Sequence, residues 1–360
     1  MDAGQPDPTD FPPSPEATPA AGEPPAGAPP AGAPPAGSVA GPAARRPGVV
    51  DLVAGALLAA TVVLHVVAMI PSYYTGSGGG PLVSQPDQAA LYAVLAAAWA
   101  LALAIGATGP ARTPVAAGLA VGIAATELGF RVADIGYYAG HQVGGAGAGL
   151  WIMTAAWVVG AAGAALAVVA ARRRSGDAQR ARHRGATIGA VAALALLTAW
   201  AFLPAWNHYH AAAAATGQST SFNLGDAWSG PWEVVLGNIL VAVALASIPI
   251  AALVMCRPSV GAAAVGGVLA VLATQFTAAV VQVDQAVSPS ILGISAGQAR
   301  QEGLTVTMKL TEWFTIDALA ALALLVVVMA VSTATVVQAN SAGAVPRAPA
   351  ARREATFPSS

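Results

Sequence analysis

The sequence predicts an all-α fold: a polytopic membrane helix bundle of eight transmembrane helices, arranged as two parallel four-helix repeats between disordered N- and C-terminal tails. Three observations predict it. Hydrophobic residues fill 56% of the 360 positions and charged residues only 9%, whereas a soluble domain carries roughly a quarter charged residues. Eight stretches approach or exceed the ~20 apolar residues that cross a hydrocarbon core of about 30 Å. The arginines then fall on alternate connections between those stretches.

Along the chain, residues 1–47 are dominated by Pro, Ala and Gly, with Pro-Pro-Ala-Gly repeating between Pro24 and Gly37. A segment without apolar side chains to bury is expected to be a disordered cytoplasmic tail. It does not read as a cleavable signal peptide, because the first apolar stretch starts near residue 48 and is long enough to span. Arg45 and Arg46, followed by Pro47 and Gly48, read as a topology anchor. The predicted spans are 48–70, 88–108, 114–137 and 149–171 in the first unit (48–171), then 186–205, 233–255, 260–283 and 312–336 in the second (186–337). A basic cytoplasmic linker, 172–185, joins the units, and residues 338–360 form the second tail. Breakers such as Thr108-Gly109-Pro110 and Arg257-Pro258 stand where helices should stop.

Short cytoplasmic connections carry the Lys and Arg excess of a membrane protein. With the N-terminus inside, 13 of the 16 basic residues lie on the inner segments, among them Arg112, Arg172, Arg173, Arg174 and Arg257. Only Arg300 and Lys309 lie outside, and Arg131 sits within a helix. The expected location is therefore the plasma membrane, multi-pass, with both termini cytoplasmic.

The halves align as a weak but collinear duplication. Ile70-Pro71-Ser72-Tyr73-Tyr74 resembles Leu203-Pro204-Ala205-Trp206-Asn207, and Arg112-Thr113-Pro114-Val115 resembles Arg257-Pro258-Ser259-Val260. Ala125-Thr126-Glu127 matches Ala273-Thr274-Gln275, with Asp134 and Gln282 seven residues beyond. Four helices per unit keep both halves in one orientation, so the symmetry axis runs along the membrane normal. Gly118 and Gly122 form a small-xxx-small pair, which predicts close helix packing.

Ionisable groups inside a membrane cost about 2.5–3.5 kcal/mol each on insertion scales and need a reason. Glu127, Arg131 and Asp134 share one face of the third helix at spacings of four and seven. Asp317 on the eighth helix, His65 on the first, Asn238 on the sixth, and Gln275 and Gln282 on the seventh lie in the same, outer half of the bilayer. The hypothesis is one outward-facing polar pocket built from these eight residues. Glu127, Asp134 and Asp317 would then set three negative charges against Arg131, so that one carboxyl keeps a proton or the site draws a cation. The competing reading pairs Glu127 with Arg131 structurally and sends Asp134 and Asp317 to the hydrated interface.

His65, His141, His208 and His210 cluster towards the outer surface, but with no Cys to assist and no enforced spacing, no metal site is expected. Tyr73, Tyr74, Tyr137, Tyr138, Trp228, Trp232 and Trp313 are read as interfacial anchors. The single Cys256 excludes an internal disulfide and an iron–sulfur cluster. A net charge of -1 argues against nucleic acid as a partner. No Walker, zincin, nucleophile-elbow or dinucleotide fingerprint is present, so no catalytic residues and no cofactors are expected, and the balance leans away from an enzyme. Residues 206–232 and 284–311 read as long outer loops able to cap a pocket or dock a partner.

Phe202-Leu203-Pro204-Ala205-Trp206-Asn207, Pro231-Trp232, Gly237-Asn238, Leu292-Gly293-Ile294-Ser295, Gly303-Leu304-Thr305 and Leu310-Thr311 resemble a group of uncharacterised actinobacterial multi-pass membrane proteins over roughly residues 200–335. The resemblance implies a membrane bundle and brings no activity or site residues with it. The expectation is a non-enzymatic binding or interaction protein whose partners are the lipid bilayer and a small ligand, a cation or another membrane protein. The alternative is a small-solute or ion transporter, against which the apolar inner half counts.

Overall fold

A computed structural model describes residues 48–75, 80–140, 145–174, 185–283, 287 and 296–343. The expectations for 1–47, 76–79, most of the 172–185 linker, His141, 292–295 and 344–360 lie outside the described residues.

Every predicted span is helical. The first four are α1 (Val49–Ala68), α2 (Pro86–Ala107), α3 (Thr113–Gly140) and α4 (Ala148–Arg174). The rest are α5 (Gly185–Ala201), α6 (Trp232–Met255), α7 (Pro258–Val283) and α9 (Glu312–Gly343), with a short α8 (Ala296–Glu302) between the last two. Seven of these helices are long and apolar enough to cross a bilayer; α5, apolar but 17 residues long, is the shorter exception. Their outer faces leave Leu52, Val63, Leu101, Trp200 and Leu319 more than half exposed to the surroundings. Apolar faces on this scale have no place in water and mark a membrane-embedded protein.

Local chemistry sets the helix ends. Asp51 accepts a hydrogen bond from the Gly48 N–H at 2.8 Å and places a carboxylate at the positive end of α1. Pro86 opens α2, where its missing N–H costs nothing. Helix α5 stops at Ala201, four residues before the predicted end, because Pro204 disfavours helical backbone at Leu203. Helix α9 runs on to Gly343, past the predicted tail boundary at 338.

Helices α3 and α7 are the axis of the bundle: 67% of the apolar window of α3 and 56% of that of α7 are buried, against 33% or less in the other five long helices. Their close approach rests on the predicted Gly118 and Gly122, where an added Cβ would run into the Val260 and Ala264 carbonyls, and on Gly267, which the sequence reading did not single out and where a Cβ would meet the Leu119 carbonyl. Around this axis α1 packs on α4 and α2, and α3 on α2 and α4. Likewise α5 packs on α9 and α6, and α7 on α6 and α9, while α3 meets α6 and α2 meets α7. One apolar core gathers around Trp99, Ile123, Leu150 and Met153, and a second around Val191, Leu245, Leu272 and Leu324.

The all-α expectation needs one correction. The two long inter-helix loops, 206–232 and 284–311, hold a three-stranded antiparallel sheet, order β2-β1-β3, made of β1 (Asn207–Ala213), β2 (Gln218–Leu224) and β3 (Leu304–Leu310). A tight turn closes the β1–β2 hairpin, with Gly217 at φ +64° donating its N–H to the Ala213 carbonyl. Tyr209 is paired across the strands with Phe222 and Met308, and Tyr209, Ala211 and Met308 are buried on one face. His208 and His210 alternate to the other face, where Nδ1 of His208 contacts Asn223 Oδ1 at 2.7 Å and Nδ1 of His210 contacts Ser221 Oγ at 3.0 Å. Both histidines thus belong to a strand. The sheet is pinned to the helices by Thr311, whose N–H donates to the Trp206 carbonyl and whose hydroxyl donates to the Ala205 carbonyl, both at 2.8 Å.

Candidate functional site

The eight residues of the predicted pocket separate into a charged network, an uncharged cavity and one isolated carboxyl.

The network joins α1, α2 and α3. Glu127, on the buried face of α3, receives the indole N–H of Trp99 on Oε2 at 3.0 Å. Its Oε1 lies 3.1 Å from Nε2 of His65 and 3.7 Å from Nε of Arg131. All three ion-pairing side chains are essentially dry. One turn further along α3, the Arg131 guanidinium lies 3.2 Å from Asp134 Oδ2, and donates to the Tyr73 hydroxyl at 2.7 Å and to the Tyr92 hydroxyl at 3.4 Å. Tyr73 donates in turn to Asp134 at 2.7 Å and accepts from Tyr92 at 2.9 Å. With one donor and two accepted bonds, the Tyr73 hydroxyl has no hydrogen-bonding capacity left.

Hydrogen-bond chemistry fixes one proton in this network. Nδ1 of His65 faces the Thr61 carbonyl at 2.9 Å, and a carbonyl only accepts, so Nδ1 carries hydrogen. Nε2 then meets a carboxylate, which requires a second proton between His65 and Glu127, carried by the imidazole or by the carboxyl. Either assignment balances the charges: imidazolium and Arg131 against two carboxylates, or Arg131 against Asp134 alone. The negative surplus expected from Glu127, Asp134 and Asp317 is absent here, because His65 joins the network and Asp317 has no bond to it.

Asp317 lies one turn beyond Phe314 on α9, on the face that continues through Ala321, Leu324 and Val328 into the second core. It is fully buried, and neither carboxyl oxygen has a hydrogen-bond partner. It does not reach the hydrated interface that the competing reading assigned to it.

Asn238, Gln275 and Gln282 line a separate cavity of about 230 Å³, together with Phe130, Phe202, Trp206, Asn207, Ala278 and Ala279. The cavity lies between α3, α6, α7 and the segments leading into β1 and out of β2. Among the described residues its wall holds four side-chain amides and no ionisable side chain. Asn238 donates to the Ala227 carbonyl at 3.4 Å, while Oδ1 of Asn207 is buried without a partner. Trp206 presents an aromatic wall braced by Phe276, Phe202 and Phe314 at centroid distances of 5.1–5.8 Å. The exposed Gly225 forms part of the rim.

Sequence reasoning missed Trp99, Tyr92 and Tyr73 as members of the network, and Trp206 and Asn207 as members of the cavity. Trp99 gave a signal: an indole in the middle of a span, remote from either interface, needs a partner for its N–H. Tyr73 was expected to anchor at the interface and is instead buried, whereas Trp228 and Trp232 are 59% and 68% exposed. Among the described residues no group of three or more potential metal ligands comes together.

Set beside known proteins, the chain matches no family model, no curated protein and no solved structure. What its own residues define is a membrane protein with a buried, charge-paired network, in which Arg131 Nε lacks a hydrogen-bond partner, and an uncharged, partly unsatisfied cavity at the sheet end of the bundle.

Proposed function

We propose that this is a multi-pass plasma-membrane protein that holds a small, uncharged, hydrogen-bonding ligand in the cavity lined by Asn207, Asn238, Gln275 and Gln282, at the extracytoplasmic face. Eight helices cross the bilayer as two parallel four-helix units, with both termini cytoplasmic, and the kinship with the actinobacterial group belongs to the same proposal. Helix α5 counts as the eighth crossing: 17 residues lie at the short end of the spanning range, and the helices before and after it need it to keep Arg112, Arg172 and Arg257 on one side. Exchange of α1, α2, α3 and α4 for α5, α6, α7 and α9 converts each helix contact described above into another one, which supports the duplication.

The observation that carries the binding role is the lining itself. Amides offer donors and acceptors without charge, and an aromatic wall offers a flat apolar surface. That combination suits a neutral polar molecule such as a polyol or sugar and offers a free ion no opposite charge among the described residues. A volume near 230 Å³ lies below the roughly 300–1,000 Å³ of drug-sized sites. The test is a thermal-shift series on the purified chain with polyols, monosaccharides, neutral amino-acid amides, carboxylic acids and metal cations, repeated on Gln275→Ala. A neutral polar compound is expected to raise the melting temperature of the natural protein and to lose most of that effect in the variant. Stabilisation by charged solutes alone, or an equal response in both proteins, refutes the reading.

A transporter is the second reading, favoured by the paired units. The α3–α7 crossing opposes it, because backbone contact at Gly122 and Gly267 leaves no route along the axis. Uptake of the stabilising compound into proteoliposomes would decide for transport.

A further inference from the structure

At the opposite end of the bundle, where α4 and α6 finish and α3 and α7 begin, a groove of about 470 Å³ separates the two units. Its walls are apolar and mostly small, including Ala117, Val121, Val168, Ile248, Ala252 and Val260. Two cations stand in its lining, Arg172 at the end of α4 and Arg257 between α6 and α7. Among the described residues neither guanidinium has a hydrogen-bond or ion-pair partner, and none of the groove's lining residues is a carboxylate. Cys256, between them, is half-buried; burial raises its thiol pKa and the nearby Arg172 charge partly offsets that rise.

An apolar slot open to the bilayer attracts acyl chain, and two unpaired guanidiniums at one end attract phosphate. A free phosphate would find cations but leave the apolar walls empty; a zwitterionic lipid would fill the walls but bring its own cation against the arginines. We propose that this groove is a binding site for an anionic phospholipid, its phosphate held by Arg172 and Arg257 and an acyl chain laid between α3 and α6. Charge complementarity selects this occupant over a partner helix, since a helix would have to present acidic residues on an otherwise apolar face.

The test is competitive lipid retention by the purified full chain, read by native mass spectrometry with phosphatidylglycerol and phosphatidylcholine of matched chains. A preference for phosphatidylglycerol of roughly thirtyfold is expected from two interfacial arginines, falling to near parity in the Arg172→Gln, Arg257→Gln double variant. Ala251→Phe, which places bulk in the groove from an exposed helix position, is expected to lower retention of both lipids while the melting temperature holds. Equal retention of the two lipids by the natural protein, or a preference that survives the double variant, overturns the proposal. Stabilisation by inorganic phosphate to the same degree as by phosphatidylglycerol also overturns it, because the site would then hold a free anion. None of these outcomes depends on the amide cavity at the other end.

Discussion

The two polar regions occupy corresponding places in the proposed repeat and reach opposite states. Where the first unit has His65, Tyr73, Glu127 and Asp134, the second has Thr198, Trp206, Gln275 and Gln282. Arg131, four residues beyond Glu127, corresponds to Ala279, four beyond Gln275. The long guanidinium that fills and neutralises the first site is therefore replaced by a methyl group at the cavity wall. Buried charge has to find its partner within the protein, and the first unit has spent every bond of Tyr73 doing so. Neutral amides tolerate an unmet bond at far lower cost, which leaves the second unit with capacity for something from outside. Charge closes a site; its removal opens one.

The sharpest way to break this contrast is Arg131→Ala. Removing one partner leaves Asp134 and the His65–Glu127 pair without their neighbouring cation, and a loss of about 3–5 kcal/mol is expected, visible as collapse of the melting temperature or of folded yield. An unchanged melting temperature would show that the network contributes no stability. Asp317→Leu should act in the opposite direction. It deletes a buried carboxyl with no hydrogen-bond partner, so a gain of about 1–3 kcal/mol is expected by thermal denaturation. A loss instead would mean that Asp317 is satisfied by a group bound in the membrane. Ala279→Leu, in the cavity, should cost about 1–3 kcal/mol at most, since the added carbons enter open space, yet abolish the ligand-induced thermal shift. Retention of the shift would place the ligand elsewhere. The smallest effect concerns Tyr209 in the sheet beside the cavity. Burial raises its phenol pKa above the ordinary value near 10, so the folded state holds the proton longer than the unfolded state and its stabilising contribution is lost as pH rises above about 10. Tyr209→Phe should flatten the decline of stability above pH 10, measured by denaturant titration at two pH values.

The helices were legible because spans in lipid obey a single strong constraint, that of satisfying the backbone internally. Their ends needed only breakers such as Pro204 and Arg257-Pro258. The sheet was not legible in β1, whose Asn-His-Tyr-His-Ala-Ala-Ala run is poor in β-branched residues, nor in the polar β2. In β3 the alternation Leu304-Thr-Val-Thr-Met-Lys-Leu310, entered through Gly303 at φ +59°, carries a legible period-two signal, but its partner β1 carries none. For the site, helical spacing correctly grouped Glu127, Arg131 and Asp134. It gave no means of telling that His65 joins them while Asn238, Gln275 and Gln282 face a different space, since that depends on which helices become neighbours. Tyr73 illustrates the limit well: composition places a tyrosine at the interface, and only the fold of the connection after α1 turns it inward.

The most direct test of the contrast is cysteine labelling in a Cys256→Ser background with a membrane-impermeant maleimide applied from outside the cell. Gln275→Cys and Ala279→Cys should label from that side and be protected by the stabilising ligand, while Thr126→Cys, fully buried in the first unit, should stay unlabelled. Labelling at Thr126 but not at Gln275, or labelling of Gln275 only from the cytoplasmic side, would contradict an outward-facing cavity beside a buried charged network.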